Sequence, residues 1–236
     1  MRLDKFLHDM GLGSRKELGQ AIRRGRVTVD GQPVDRRDFQ VGAEALVTFD
    51  GAPLSYQDAQ YLMVHKPAGV VTAMKDSRDQ TVMDLLFGQS KKLRPVGRLD
   101  KDTTGLLLLT TDGQLAHRLA SPKYNIPKTY RFTYSGDFPL DAVEQVARGL
   151  TLSDGPTRPA KLDLTGPDQA QLTLSEGRTH QVKRMCHALG GEVLTLHRVR
   201  LGPLWLGDLA EGQWRSLSPE EITALYAASG LNKEAL

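Results

Sequence analysis

"GRLDKDTTGLLLLTTDG", running from Gly97 to Gly113, sets a short polar turn against an unbroken apolar run. Asp100 and Asp102 stand two residues apart in the turn, with Arg94, Arg98 and Lys101 around them. Leu106 to Leu109 then read as a core strand that holds the turn in place. Aspartate and threonine in a turn commonly bond neighbouring backbone N–H groups, which accounts for both acids structurally. Basic neighbours also keep a carboxylate ionised and available as a nucleophile or base. Spacing alone leaves open whether either acid is active, and which.

Outward from this stretch, "YLMVH", "TYRFTY", "KLDLTG" and "QLTLS" are further strand candidates. Helices are predicted over Thr81–Phe87, Gln114–Leu119, Leu140–Gly149, Thr179–Leu189 and Glu220–Ala228. Many of the links are short, which favours a mixed, mainly antiparallel sheet over a doubly wound parallel one.

Residues ahead of Tyr61 read as a separate small α/β module. Leu3, Phe6, Leu7 and Met10 follow the spacing of one buried helix face, and Gly11 can end that helix. Ser14 and Glu17 make a capping box for a second helix, with Gly25 at its end. Asp30-Gly31 and Asp50-Gly51 are hairpin turns. The predicted boundaries are 1–56 for the module, 57–60 for a linker and 61–236 for a larger α+β domain. A module this small buries little of its chain, so it suits an appended binding unit better than a seat of chemistry.

Net charge is only +3 over 236 residues, but the cations are clustered. Arg15, Lys16, Arg23, Arg24 and Arg26 form one zone, and Arg178, Lys183, Arg184, Arg198 and Arg200 another. Such zones suggest a polyanion touched on one face, against the alternative of solvated surface charge. Apolar runs are too short for a membrane-spanning helix, and the charged N-terminus is no secretory signal. The single cysteine, Cys186, excludes an intramolecular disulfide and fits a reducing cytoplasm.

Phosphate-binding and dinucleotide glycine motifs and H-E-x-x-H are absent. His180, Cys186, His187 and His197 lack metal-ligand spacing, so no metal is expected. Val182, Met185, Cys186 and Leu189 form the buried stripe of one helix, with Lys183 at its edge, where an ammonium can reach a cleft or simply snorkel. Tyr130 lies on the aromatic face of a half-buried strand, either as core or as a platform for a planar base.

These residues carry a resemblance. "GRLDKDTTGLLLLT" resembles the signature of bacterial rRNA pseudouridine synthases of the RsuA type. "HKPAGVVTA" from His65, "KTY" around Tyr130, "EGRTHQVKRM" from Glu176 and "LHRVRLG" from Leu196 match further blocks in order. "MRLDKFL" with "SRKELGQAIRRGRVTVDG" resembles the S4 RNA-binding module that precedes the catalytic domain in that family. His65 stands where many relatives carry asparagine.

The resemblance implies an S4-like module plus a pseudouridine synthase domain, acting without cofactor or metal. It implies Asp100 as the catalytic aspartate, Tyr130 packed on the target base, and Lys183 paired with Asp100. Arg98 and Leu201 would line the uracil pocket, and Asp102 would brace the turn with Thr103 and Thr104. RNA would be held by Arg15, Lys16, Arg23, Arg24, Arg26, Arg178, Arg184 and Arg198. The implied partner is 16S rRNA or a small-subunit assembly intermediate, met by a cytoplasmic monomer. Thr179-His180 favours the small-subunit branch, since large-subunit relatives tend to carry an Asn-Arg pair there; 23S rRNA is the alternative. A non-catalytic RNA-binding assembly factor is a second alternative. A glycosidase with Asp100 and Asp102 as its pair is disfavoured, because two acids in one tight turn cannot readily flank a bond at roughly 5–9 Å.

Overall fold

The computed structural model describes residues 1–10, 12–42, 45–54, 59–86 and 92–231. The chain divides into two compact units, Met1–Asp58 and Ala59–Ala235. Gly11, Phe87 and residues 57–58 of the expected linker lie outside the described residues.

In the first unit, α1 (Leu3–Asp9) and α2 (Arg15–Arg23) pack beside a four-stranded sheet of β1 (Val27–Val29), β2 (Gln32–Pro33), β3 (Val47–Phe49) and β4 (Ala52–Leu54). Ser14 and Glu17 cap α2 reciprocally, as the sequence predicts. Asp30 and Gly31 both have positive φ, as do Asp50 and Gly51, the backbone of a tight hairpin turn. Leu3, Leu7, Leu18, Ile22 and Val27 form the core.

The second unit is built on a nine-stranded sheet. Its strands are β5 (Tyr61–Lys66), β6 (Arg94–Pro95), β7 (Thr104–Thr110), β8 (Lys128–Ser135), β11 (Lys161–Gly166), β12 (Gln169–Leu174), β13 (Glu192–Leu201), β14 (Leu204–Trp205) and β15 (Trp214–Ser216), while β9 (Thr151–Leu152) and β10 (Gly155–Pro156) make a separate hairpin. The main order is β11-β12-β8-β13-β7-β5-β15, and among these described strands only the β7–β13 pair is parallel. The helices are α3 (Gly113–Ala120), α4 (Ala142–Arg148), α5 (Gln181–Ala188) and α6 (Pro219–Ser229).

The apolar run of the opening stretch is buried on both faces, because alternate leucines enter different cores. Leu106 and Leu108 pack with α3 and α6 residues Leu115, Leu119 and Leu225. Leu107 and Leu109 pack on the opposite side with Leu99, Val82 and Leu93. α4 and α5 cover the β8–β12 end, where Phe132 and Leu172 meet Val146 and Met185.

The expected helix over Thr81–Phe87 is not formed in its described part, which is a chain of turns. Asp84 Oδ2 accepts from Thr81 N–H at 2.7 Å and from the Thr81 hydroxyl at 2.9 Å, folding the segment on itself. The ten-residue β13 was not among the sequence-predicted strands, yet it lies near the middle of the sheet.

Candidate active site

The loop that carries both aspartates sits between Leu99, buried in the core, and β7. Its turn is closed by Thr103 N–H donating to the Asp100 carbonyl at 3.1 Å. At its exit, Thr104 Oγ1 and His197 Nδ1 share a hydrogen bond of 2.7 Å.

Lys66 holds the loop from below, a role that the sequence reading missed. Its side chain is 0% exposed, and its ammonium donates to the carbonyls of Pro67, Lys101 and Thr103 at 2.8, 3.2 and 2.8 Å. Burial pulls its pKa down to about 8, while the nearby carboxylates of Asp102, Asp100 and Glu211 oppose that fall. A fully buried lysine costs stability unless its charge is used. The signal was present in "HKPAG": a lysine between a predicted core strand and a proline has little room to leave the interior.

Pairing across the sheet locates the loop relative to Tyr130. Leu172, Tyr130, Arg198, Gly105 and Lys66 lie opposite one another on β12, β8, β13, β7 and β5. Directly paired residues share a face, so Tyr130 stands on the face that Lys66 presents to the Asp100 loop. Tyr130 is half-buried and packs against the group that contains Leu99 and Leu107. Its hydroxyl makes no hydrogen bond among the described residues. Gly105 is required on this row. Its φ is +106°, and a Cβ there would lie 2.3 Å from the Arg198 carbonyl oxygen.

The two aspartates differ in their surroundings. Asp102 is ion-paired with Lys183 Nζ at 2.5 Å, and that ammonium holds its carboxyl below the ordinary carboxylate range. Asp100 is 32% exposed, and its carboxylate accepts no hydrogen bond among the described residues. The nearest ionisable side chain is that of His180, whose Nε2 lies 3.6 Å from Oδ1, beyond hydrogen-bond length. The expected Lys183–Asp100 pair is therefore corrected: Lys183, on the edge of α5, reaches the more exposed acid two residues on. Asp102 is accordingly committed to α5, and the turn is braced by the Thr103 N–H and Lys66 instead. The Thr103 hydroxyl is buried with no partner among the described residues.

Other expected residues divide by availability. Arg98 is exposed and unpaired among the described residues, two positions before Asp100. Leu201 is 1% exposed and packs with Leu106 and Leu204, on a different core group from those touching Tyr130, so its side chain serves the core. Arg15, Lys16 and Arg24 are exposed. Arg23 bonds the Gly19 carbonyl of its own helix through Nε, and Arg26 is paired with Asp50 and stacked on Phe49.

The second basic zone is largely neutralised within the fold. Arg178 is held by Glu176, Asp154 and the Gly155 and Pro156 carbonyls, and Arg184 by Asp154 at 2.9 Å. Arg198 is 2% exposed and donates to the Leu106 carbonyl at 2.7 Å, so it is corrected from a phosphate contact to an interior residue. A cleft of about 790 Å³ runs from Asp102 and His180 along α5, past Lys183 and His187 to Leu152 and Val193. Among the described residues no group of His, Cys, Asp or Glu is placed to hold a metal ion.

The geometry thus offers a carboxylate free of hydrogen bonds among the described residues, 3.6 Å from the cleft residue His180, with the half-buried Tyr130 and the exposed Arg98 elsewhere in the same unit. Residues 60–188 match the family model described as RNA pseudouridylate synthase, and residues 1–47 match that of the S4 domain. The chain is 44% identical over 230 residues to the ribosomal small subunit pseudouridine synthase A of Escherichia coli K12, covering 95% of this chain and 100% of that one. It is 43% identical over 234 residues to YtzG of Bacillus subtilis, described as an uncharacterized RNA pseudouridine synthase, over 95% and 98% of the two chains. A crystal structure of a pseudouridylate synthase superposes with a TM-score of 0.69 at 38% identity, over 95% of this chain and 99% of the other.

Proposed function

Because the chain belongs to the RNA pseudouridylate synthase family and carries an S4 domain, we propose that it isomerises one uridine of 16S ribosomal RNA, with Asp100 as the acting carboxylate. The observation that carries the assignment of Asp100 is the contrast within one turn. The Asp102 carboxylate is paired with Lys183, whereas that of Asp100 accepts no hydrogen bond among the described residues and has only His180 Nε2 nearby, at 3.6 Å.

Isomerisation breaks the N1–C1′ bond of the uridine, turns the uracil and joins it through C5. Product and substrate contain the same atoms, so no co-substrate enters the balance. The target nucleotide leaves its stack to enter the site. Its base lies against Tyr130, which holds the ring while it turns. Asp100 attacks C1′ or C6, or removes a ribose proton. Arg98 faces the RNA beside it and takes a phosphate. Lys183 acts one step removed: it fixes Asp102, and through it the loop, to α5.

Arg15, Lys16 and Arg24 of the S4 domain supply phosphate contacts, which makes binding salt-sensitive. The choice of one uridine comes from RNA shape and unpaired bases. The protein acts as a cytoplasmic monomer on 16S rRNA, free or within an assembly intermediate. Pseudouridine mapping of ribosomal RNA from cells lacking this gene, with purified protein added back, tests the reading. One 16S pseudouridine should be missing and then restored; a lost 23S site, or no lost site, contradicts it.

A further inference from the structure

Three cations are buried in the strands of the nine-stranded sheet: Lys66 at 0%, Arg198 at 2% and Lys128 at 8% exposure. Among the described residues, every hydrogen bond from these side chains goes to a backbone carbonyl. Lys66 is accounted for, because its three bonds hold the loop. Lys128 donates only to the carbonyl of Ile126, two residues away, at 3.1 Å. Arg198 donates to the Leu106 carbonyl, and its Nη2 is buried with no partner among the described residues.

Both of these residues border Tyr130. Arg198 is its direct partner across β8 and β13, and Lys128 lies two positions along β8, on the same face. Taking an ion out of water costs several kcal/mol, and two unneutralised cations side by side add repulsion. Burial and the field of Arg198 pull the Lys128 pKa down to about 8, so the ammonium still carries its charge at neutral pH. A neutral donor would satisfy Ile126 as well. The charge itself therefore needs an explanation.

We propose that Lys128 and Arg198 form a positively charged floor under the uracil ring on Tyr130, stabilising the negative charge that the ring acquires during isomerisation. The inference rests on the placement of the ring given above. When N1–C1′ breaks, both bonding electrons leave with the base, and the uracil carries one negative charge over N1, O2 and O4. The charge is discharged when the C5–C1′ bond forms from the ring's electrons, C5 gives up its proton and N1 takes one. If Asp100 adds to C6 first, the electron pair displaced from the C5–C6 bond spreads to O4, so the same ring is anionic. A fixed positive field aimed at a developing anion accelerates either route without rearrangement. The two side chains act through space and do not touch the reacting atoms.

The test compares Lys128→Gln, which keeps a donor for Ile126 and removes the charge, with Arg198→Lys, which keeps the charge. Each variant of the full chain is given an RNA substrate containing the target uridine. Single-turnover rate, RNA affinity and melting temperature are measured. Lys128→Gln should lose roughly 30- to 100-fold in rate, somewhat less than removal of a contacting donor costs. Its RNA affinity should stay within about threefold, and its melting temperature should be unchanged or higher, since a buried charge is gone. Arg198→Lys should keep its rate within about fivefold.

A Lys128→Gln rate within about threefold of wild type overturns the inference. So does a lower melting temperature or failure to fold, which would make the ammonium structural. An Arg198→Lys loss as large as that of Lys128→Gln also overturns it, because charge would not be the operative property. Asp100→Asn in the same assay separates this from the parent reading: an active Asp100→Asn refutes the site assignment itself, while an inactive one beside a normal Lys128→Gln refutes only the floor.

Discussion

Replacing Lys66 by methionine keeps the length and much of the volume of the side chain while deleting its three donors. The carbonyls of Pro67, Lys101 and Thr103 then lose the partner that draws them together. A buried acceptor left without a donor costs about 1–3 kcal/mol, so three amount to roughly 3–9 kcal/mol if all remain dry. Relief from burying an ammonium offsets several kcal/mol of this. Partial rewetting of the loop offsets more, leaving a net loss of about 2–4 kcal/mol. In a unit of this size each kcal/mol lowers the melting temperature by about 2–4 °C, so a fall of roughly 5–15 °C is expected in the second unit. The loop that Lys66 ties down carries Asp100, and a displacement near 1 Å can cost about a hundredfold in rate. Calorimetry and single-turnover pseudouridine formation at a temperature where both proteins are folded read the two effects. A variant that melts within about 2 °C of wild type and keeps its rate within threefold would refute the reasoning.

Two further outcomes follow from charges already placed. Neutralising Arg15, Lys16 and Arg24 together should weaken RNA binding and reduce the slope of log affinity against log salt by about 0.7–0.9 for each phosphate left without its cation, with the single-turnover rate at saturation unchanged; an unchanged slope would mean that the S4 domain meets something other than RNA. Folded Lys66 and Lys128 release their protons near pH 8, below the 10.5 of an unburied lysine. From about pH 8 to 10.5 the unfolded chain holds more protons than the folded one, so these two groups raise stability as pH rises through that window. The melting temperature of wild type relative to a protein lacking both amines should climb there and be level below pH 8. A difference that shrinks from pH 8 upward contradicts the assignment.

Local chemistry decided what was legible. The capping box at Ser14 and the two Asp-Gly turns depend on neighbours in the chain, and the structure shows both. The leucine run of β7 announces a buried element, and its shortness between turn residues suits a strand. β13 was hidden because its polar residues face different surroundings: His197 bonds Thr104, Arg198 fills the interior, and Arg200 stacks on Trp205. "TVMDLLF" has helix-like apolar spacing, but Val82 and Leu86 enter the core from turns instead.

Charge was the least readable property. A basic residue in a sequence declares its sign but not its side of the surface. Arg178 and Arg184 look like RNA contacts until Asp154 is seen between them, and Arg198 until its burial is seen. The partner of Lys183 could not be read because Asp100 and Asp102 lie only two residues apart. Lys66 went unnoticed because its partners are carbonyls, which every residue has.

The central claim is that one of two neighbouring acids acts on uridine and the other holds the loop. Asp100→Asn and Asp102→Asn, assayed side by side for pseudouridine formation and RNA affinity, test it most directly. Asp100→Asn should form no detectable pseudouridine while binding RNA within a few-fold of wild type, and Asp102→Asn should retain measurable turnover. Normal turnover by Asp100→Asn, or loss confined to Asp102→Asn, would contradict the account.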